Sequence, residues 1–244
     1  MLDGLKRLFG ASSSAATSAW VSVQEWAAAK NYAIRAVPSE GFVVDGKSDG
    51  ALWRLEWGPS QRPYIEGQEL RLRCELGLAS ELQLVIMNRA LQEQMEKAVF
   101  EQYVEGVQTR IDNQTPPEMR WLVMFPKLTG PEMAPLSERF VALSSVKSWL
   151  QRWLEGPLTQ ALVSHRVAAE VPVVLMIGRG RLMIRAALPD PEVQELERWL
   201  RLFETAIRQA QRVVREASDK SSEPTVPPSE WSSSALPGEE HPPR

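Results

Sequence analysis

Residues 69–76 read ELRLRCEL, an unbroken alternation of charged and apolar side chains. Successive side chains of a β-strand point to opposite faces of a sheet, so this period of two predicts a strand with its apolar residues on one face. The charged residues then occupy the other face. The stretch therefore predicts an antiparallel sheet that is buried on one side and charged on the other.

Similar patterns occur on both sides of this strand. Trp53, Leu55 and Trp57 alternate with two charged residues, which predicts a neighbouring strand. The remaining strands are predicted over residues 32–37, 41–44, 82–87, 121–125, 140–143, 173–177 and 182–188. The last two are expected to form a hairpin around Gly178-Arg179-Gly180-Arg181, where glycine supplies the positive φ of a tight turn.

Helices are predicted where apolar residues recur every three or four positions, over residues 15–30, 88–105, 146–162 and 190–217. The third is expected to kink at Gly156-Pro157. Asn88 is the expected N-cap of the second helix, and Asp190, followed by Pro191, that of the last. The last helix has the most regular apolar stripe, whose members are Val193, Leu196, Leu200, Phe203, Ile207, Ala210 and Val214.

These elements predict an α+β fold. They suggest two similar lobes of helix, antiparallel β-meander and helix, over residues 15–107 and 108–217, and one continuous α+β domain is the alternative. Residues 1–14 are expected to be a flexible N-terminus. Residues 218–244 are rich in proline, serine and acidic side chains, which predicts a disordered tail after the long last helix.

The charge balance limits the classes of partner. The chain has 28 Lys and Arg against 31 Asp and Glu, a formal net charge of -3, so no overall field favours a nucleic acid. No apolar run approaches the roughly 20 residues that cross a bilayer, and the N-terminus lacks the apolar core of a secretory signal. We therefore expect a soluble, cytoplasmic protein of bacterial type.

Signatures of catalysis are scarce. The two histidines are His165, near the end of a predicted helix, and His241, in the predicted tail; the sequence contains no GxSxG. Cys74, the single cysteine, alternates inward with leucines, which predicts a buried and inert thiol. We predict no catalytic residues, and a role other than that of an enzyme is favoured.

Metal and cofactor motifs are also absent from the sequence, since it has no HExxH, no CxxC, no calcium loop and no phosphate loop. We therefore predict no metal and no cofactor. The one compact glycine pattern is Gly178-Arg179-Gly180-Arg181, between two predicted strands. Its arginines could meet an anion, but the geometry of a hairpin turn is the simpler explanation of its glycines.

The charged face of the sheet is a candidate surface for binding another protein. Its arginines are Arg54, Arg71 and Arg73, and arginine is favoured at protein interfaces. Neighbouring strands also bring acidic residues beside them, so a ladder of solvated salt bridges is the simpler interpretation.

A second candidate site follows from the polar stretch between the two predicted lobes. This alternative would bind a small molecule or an anion, or support an unfamiliar enzyme, through Arg110, Asp112, Glu118 and Arg120. A solvated loop explains the same residues.

Residues 181–210, a predicted strand followed by LPDPEVQELERWLRLFETAIRQA, resemble the end of the small α+β secretion chaperones. The resemblance implies helices that flank a twisted antiparallel sheet and a role in binding segments of partner proteins. The leading hypothesis from the sequence is a non-enzymatic adaptor or chaperone-like protein, whose partner is another protein of unknown identity. It rests on the missing catalytic, metal and nucleotide signatures and on the regular apolar stripe of the last helix.

The last helix could also pair with a second copy of the chain through Ile207 and Val214, although packing against its own sheet explains the same stripe. If the helix pairs between chains, Ile207→Asp should convert a dimer into a monomer, because it places a charge in an apolar seam. Light scattering measures this directly. A wild-type chain that is monomeric at tens of micromolar would contradict the dimer.

Overall fold

Every strand in the described parts of the chain, residues 20–37, 41–104 and 115–221 of a computed structural model, belongs to one antiparallel sheet. The strands are β1 (Ala33–Val37), β2 (Gly41–Ser48), β3 (Ala51–Pro59), β4 (Gln68–Glu75), β5 (Leu84–Asn88), β6 (Phe140–Ser144), β7 (Val173–Gly178) and β8 (Arg181–Ala187). Their order across the sheet is β1-β2-β3-β4-β8-β7-β5-β6.

Seven helices accompany this sheet within the same residues: α1 (residues 20–29), α2 (Arg89–Val104), α3 (Pro117–Met124), α4 (Gly130–Met133), α5 (Lys147–Leu154), α6 (Pro157–Ser164) and α7 (Val193–Ser221). The predicted α+β class with a long last helix is confirmed. The predicted lobes share the sheet, because β5 pairs with both β6 and β7. Their boundary stays a prediction, and residues 1–14 and 222–244 lie outside the described residues.

One face of the sheet carries the main core. A row of apolar side chains crosses seven strands in register, and every member is buried: Val44, Leu55, Leu72, Ile184, Leu175, Ile86 and Ala142. Helices α1, α5, α6 and α7 cover this face. The alternation of 69–76 therefore has the predicted effect, since its leucines and Cys74 point into this core.

The opposite face changes character along the sheet. Over β2, β3 and β4 it is charged, whereas over β5 and β7 it is apolar and packs against α2 and α3 through Val85, Met87, Val174 and Met176. A single row shows the change, because Arg54 and Arg73 are followed in register by Met183, Met176 and Val85. Strand β8 is thus the border between a charged half and an apolar half.

Helix α7 packs its stripe against the main core. Leu196, Phe203 and Ile207 are buried, and the indole of Trp153 on α5 donates a hydrogen bond of 3.0 Å to the Ala206 carbonyl oxygen. Burial of this stripe accounts for the regular spacing seen in the sequence. The helix begins at Val193, so the predictions of Asp190 as its N-cap and of Pro191 as its first residue are wrong.

Two further sequence predictions about local structure are wrong. Residues 121–125 were expected as a strand, but they belong largely to α3, because Pro117 starts a helix whose buried residues recur at helical spacing: Glu118, Met119, Trp121 and Leu122. Asn88 does not cap α2. It ends β5, and its side chain accepts a hydrogen bond from the Val173 amide and donates one to the Ala169 carbonyl oxygen.

Among the helices of the described residues, none has the length and apolar character needed to cross a membrane.

His165 makes the fold sensitive to acid. Its ring lies 4.1 Å from that of Trp199, and burial, together with the charges of Arg198 and Arg139, lowers the pKa of His165 to about 4. In the unfolded chain the pKa of a histidine is about 6.5, so the unfolded state takes up a proton at a higher pH than the folded state. The free energy of unfolding is therefore unaffected by this protonation above about pH 6.5 and decreases as the pH falls from about 6.5 toward 4.

We expect His165→Phe to lose less stability than the wild type between pH 7 and pH 5, by about 1 kcal/mol after allowance for solvent screening. The phenyl ring keeps the contact with Trp199 but cannot take up a proton. Urea unfolding of both proteins at the two pH values measures the difference. Equal losses in the two proteins would show that His165 does not carry this acid sensitivity.

Candidate functional site

A cleft of about 690 Å³ opens on the partly charged face of the sheet, where α3, residues 61–63 and the turn between β7 and β8 come together. Four arginines line it: Arg62, Arg120, Arg179 and Arg181. Met176 and Met183, which are paired across β7 and β8, also line it. The cleft therefore combines guanidinium groups with an apolar base at the border described above.

Helix α3 forms one wall of the cleft and the β7–β8 turn forms the other. The contact between Trp121 and Gly178 sets the distance between these two walls. A Cβ atom at Gly178 would lie 2.7 Å from the Trp121 ring, so the indole can rest on this strand end only because residue 178 has no side chain. Pro117 begins α3 and thereby places Trp121 one turn into the helix. Local sequence in two distant segments thus brings α3 against the β7–β8 turn.

The β7–β8 turn has an unusual residue at its tip. Arg179 and Gly180 have φ values of 53° and 76°, the pair of positive angles that a two-residue type I′ turn requires. Asn and Gly are the residues that suit these angles, whereas a side chain such as that of arginine costs about 1 kcal/mol there. Strained residues of this kind concentrate at functional sites.

Two of the four arginines are paired with carboxylates. Arg62 Nε lies 2.6 Å from Glu118 Oε1, and Arg181 Nε lies 2.5 Å from Glu75 Oε1. In the described part of the chain, Arg120 and Arg179 have no carboxylate within ion-pair distance, and the buried Nε of Arg120 has no hydrogen-bond partner. The cleft thus has an excess of positive charge.

Glu118 lies behind the part of the cleft that α3 and residues 61–63 form, and it holds these two segments together. Its carboxylate is fully buried and accepts hydrogen bonds from the Tyr64 hydroxyl and from Arg62 Nε. Burial and the charge of Glu118 raise the pKa of Tyr64 well above 10, so the hydroxyl keeps the proton that it donates. Glu118 therefore joins residues 62–64 to α3.

The sequence-based ligand site is brought together only in part. Arg120 lines the cleft, whereas Glu118 is absent from its lining and holds Arg62 from behind. Arg110 and Asp112 lie outside the described residues. Arg179 and Arg181 were recognised in the sequence as arginines that could meet an anion. Arg62 was missed, because nothing in a turn rich in proline and serine marks it.

The candidate arginines for a protein partner all face carboxylates. Arg54 Nε lies 2.5 Å from Asp45, Arg71 Nε lies 3.3 Å from Glu56, and Arg73 lies 3.2 Å from Glu56. Arg54 and Arg73 also line a more open groove of about 460 Å³, which shares Arg181 with the cleft. Binding of another protein through these residues stays a prediction.

Glu69 departs from the solvated ladder that the sequence suggested. Its side chain is completely buried, and it accepts hydrogen bonds from Arg185 at 2.5 Å, from the Gln61 amide at 2.9 Å and from Arg71 at 3.3 Å. A buried carboxylate needs such partners to offset its lost hydration. The alternating pattern did not reveal this burial, because it depends on the approach of residue 61 from outside the strand.

The two residues proposed for pairing between chains differ in exposure. Ile207 is 0% exposed and packs in the core of its own chain, whereas Val214 is 37% exposed. An aspartate at Ile207 would disturb that core, so the same substitution at Val214 tests pairing more cleanly. Pairing through this helix stays a prediction.

No group of three or more potential metal-ligating side chains occurs among residues 20–37, 41–104 and 115–221. Cys74 is buried, and burial raises the pKa of its thiol to about 11, which keeps it protonated at neutral pH.

No protein-family model matches the chain, and no curated protein matches it. Among solved structures, the chain is similar to the crystal structure of the mycobacterial trehalose monomycolate transport factor A, TtfA, with 10% sequence identity and a TM-score of 0.46. The similarity covers 81% of this chain and 94% of that chain. A likeness at this level assigns neither a fold family nor a function.

We expect Arg179→Asn to raise the free energy of unfolding by roughly 0.5 to 1 kcal/mol, because asparagine tolerates the positive φ at the tip of the turn. Arg166→Asn is the matched control, since Arg166 is an exposed arginine that has no positive φ. Denaturant unfolding of the three proteins measures the effect. A lower stability for Arg179→Asn would mean that the arginine side chain stabilises the turn.

Proposed function

We propose that the chain is a non-enzymatic binding protein that holds an anionic small molecule in the arginine-lined cleft. The observation that carries the proposal is the pair Arg120 and Arg179, which line the cleft and face no carboxylate within the described residues. The remaining two arginines share their charge with Glu118 and Glu75. An anion in the cleft would complete the pairing.

The guanidinium groups of Arg120 and Arg179 support an anion in particular. A guanidinium offers a planar set of donors that matches the oxygens of a carboxylate or a phosphate. A ligand with such oxygens in the cleft would offset the local excess of positive charge.

The strain at Arg179 is a second, independent support. A type I′ turn is more stable with asparagine or glycine at this position, so the fold alone gives no reason for an arginine. Its side chain, however, lines the cleft opposite α3. An arginine kept at a cost to the turn is the pattern expected of a ligand-binding residue.

The chemistry of the lining favours binding over reaction. Among the described residues, those that line the cleft carry guanidinium, amide, thioether and indole groups and one hydroxyl, that of Thr115, without imidazole, thiol or carboxylate. General acid–base chemistry and nucleophilic attack need a group that exchanges protons near neutral pH. Tyr64, whose hydroxyl donates to Glu118, has a pKa raised well above 10 by burial and by the charge of Glu118.

The proposal is tested by thermal unfolding of the full chain with increasing inorganic phosphate at constant ionic strength. Phosphate should raise the Tm of the wild type, because a ligand that binds the native state stabilises it. Arg120→Gln and Arg179→Asn should each weaken apparent phosphate affinity by about tenfold or more, since each removes charge-assisted hydrogen bonds.

Arg215→Gln is the matched control, because Arg215 is exposed on α7, across the sheet from the cleft. It should respond to phosphate as the wild type does. If all four proteins show the same phosphate-dependent change in Tm, the cleft is not the binding site and the proposal is overturned. The absence of any change in the wild type would overturn it as well.

A further inference from the structure

The base and rim of the cleft are apolar. Trp121, Met176 and Met183 line it beside the arginines, and Met124 at the end of α3 is 62% exposed. Pro63, Pro116 and Pro117 complete the apolar part of the lining. An inorganic anion would satisfy the guanidinium groups but would leave the exposed Met124 and the half-buried Met183 in contact with water.

We infer that the ligand is an organic anion with an apolar body, either an acyl chain or an aromatic ring, whose carboxylate or phosphate faces the arginines. This inference rests on the proposed function and adds the chemical class of the ligand. The proposed function concerns only the charge of the ligand, whereas the cleft presents both charged and apolar side chains to it.

The size of the cleft agrees with this class. Its volume of about 690 Å³ lies inside the range of roughly 300–1,000 Å³ that is typical of sites for organic ligands and cofactors. A phosphate or sulfate ion fills a small part of such a space. The remaining space adjoins thioether and indole groups, which favour apolar atoms over water.

Methionine suits a site of this kind. The side chain is flexible and polarisable, so it adapts to chains and to aromatic rings alike. Met124, Met176 and Met183 come from α3, β7 and β8, and they therefore surround the space from different elements. The same residues also provide a local spectroscopic signal of what enters the cleft.

The test uses the full chain with ¹³C-labelled methionine methyl groups, titrated with four probes: inorganic phosphate, octanoate, 2-naphthoate and 1-octanol. The sequence has eight methionines, and Met133 lies in the core on the opposite side of the sheet as an internal control. Calorimetry of the same titrations gives the affinities. Octanoate and 2-naphthoate distinguish a chain from a ring.

We expect at least one organic anion to bind about tenfold or more tighter than phosphate, because burial of its apolar body adds to the ionic contacts. It should shift the methyl signals of Met124, Met176 and Met183 and leave that of Met133 unchanged. The neutral 1-octanol should bind more weakly than octanoate. Arg120→Gln should weaken the organic anion and leave 1-octanol unaffected.

A second variant tests the apolar contact directly. Met183→Gln keeps a side chain of similar length but makes it polar, so it should weaken the organic anion several-fold more than it weakens phosphate. Val163→Gln is its control, because Val163 is an exposed apolar residue on α6, away from the cleft.

The two proposals fail in different ways. If phosphate binds through Arg120 and Arg179 but both organic anions bind no tighter and shift no cleft methyl group, this inference is overturned and the proposed function stands. If phosphate does not bind in the cleft, the proposed function has failed and this inference fails with it. Equal weakening of phosphate and octanoate by Met183→Gln would also contradict the apolar contact.

Discussion

The pairing of β4 with β8 holds the architecture together. Seven residue pairs, from Glu69 and Ala187 to Glu75 and Arg181, join the meander β1–β4 to the strands β5–β8. This ladder makes the row of buried side chains on the main core continuous from β2 to β6. On the opposite face it brings Arg185 beside the buried Glu69. A sheet divided at this point would have neither a common core nor a border between charged and apolar halves.

The cleft is a consequence of that border. Strand β8 carries Met183 at the change in character of the sheet face, and the preceding turn carries Arg179. Helix α3 (Pro117–Met124) covers part of the apolar half, and its Trp121 rests against Gly178. The cleft lies beside the strand at which this face of the sheet changes from charged to apolar. Both kinds of side chain therefore line it.

Much of the fold follows from periodicity along the sequence. The alternation at 69–76 and the stripe of α7 were predicted, because each depends on which face of one element is buried. Helix α3 was mistaken for a strand because Trp121 to Met124 have the composition of a strand, while the helix start at Pro117 lies just outside that run. The sequence singled out Arg120 and the arginines of the turn as separate candidates and did not predict that they line one cleft. The lining of the cleft comes from four separate segments, residues 61–63, Gln83, 115–124 and 176–183, and no local pattern encodes their meeting.

The contact of Trp121 with Gly178 affects the shape of the cleft, whereas part of the charge of the cleft comes from the next residue along the chain. Residue 178 determines its shape, since any side chain there would push the indole and α3 outward. Residue 179, next along the chain, contributes charge from the tip of a turn, where replacement leaves the backbone path intact. Adjacent positions thus control width and electrostatic character independently. Natural variants of the chain could alter ligand preference at position 179 without rebuilding the cavity, whereas variation at position 178 would remodel it.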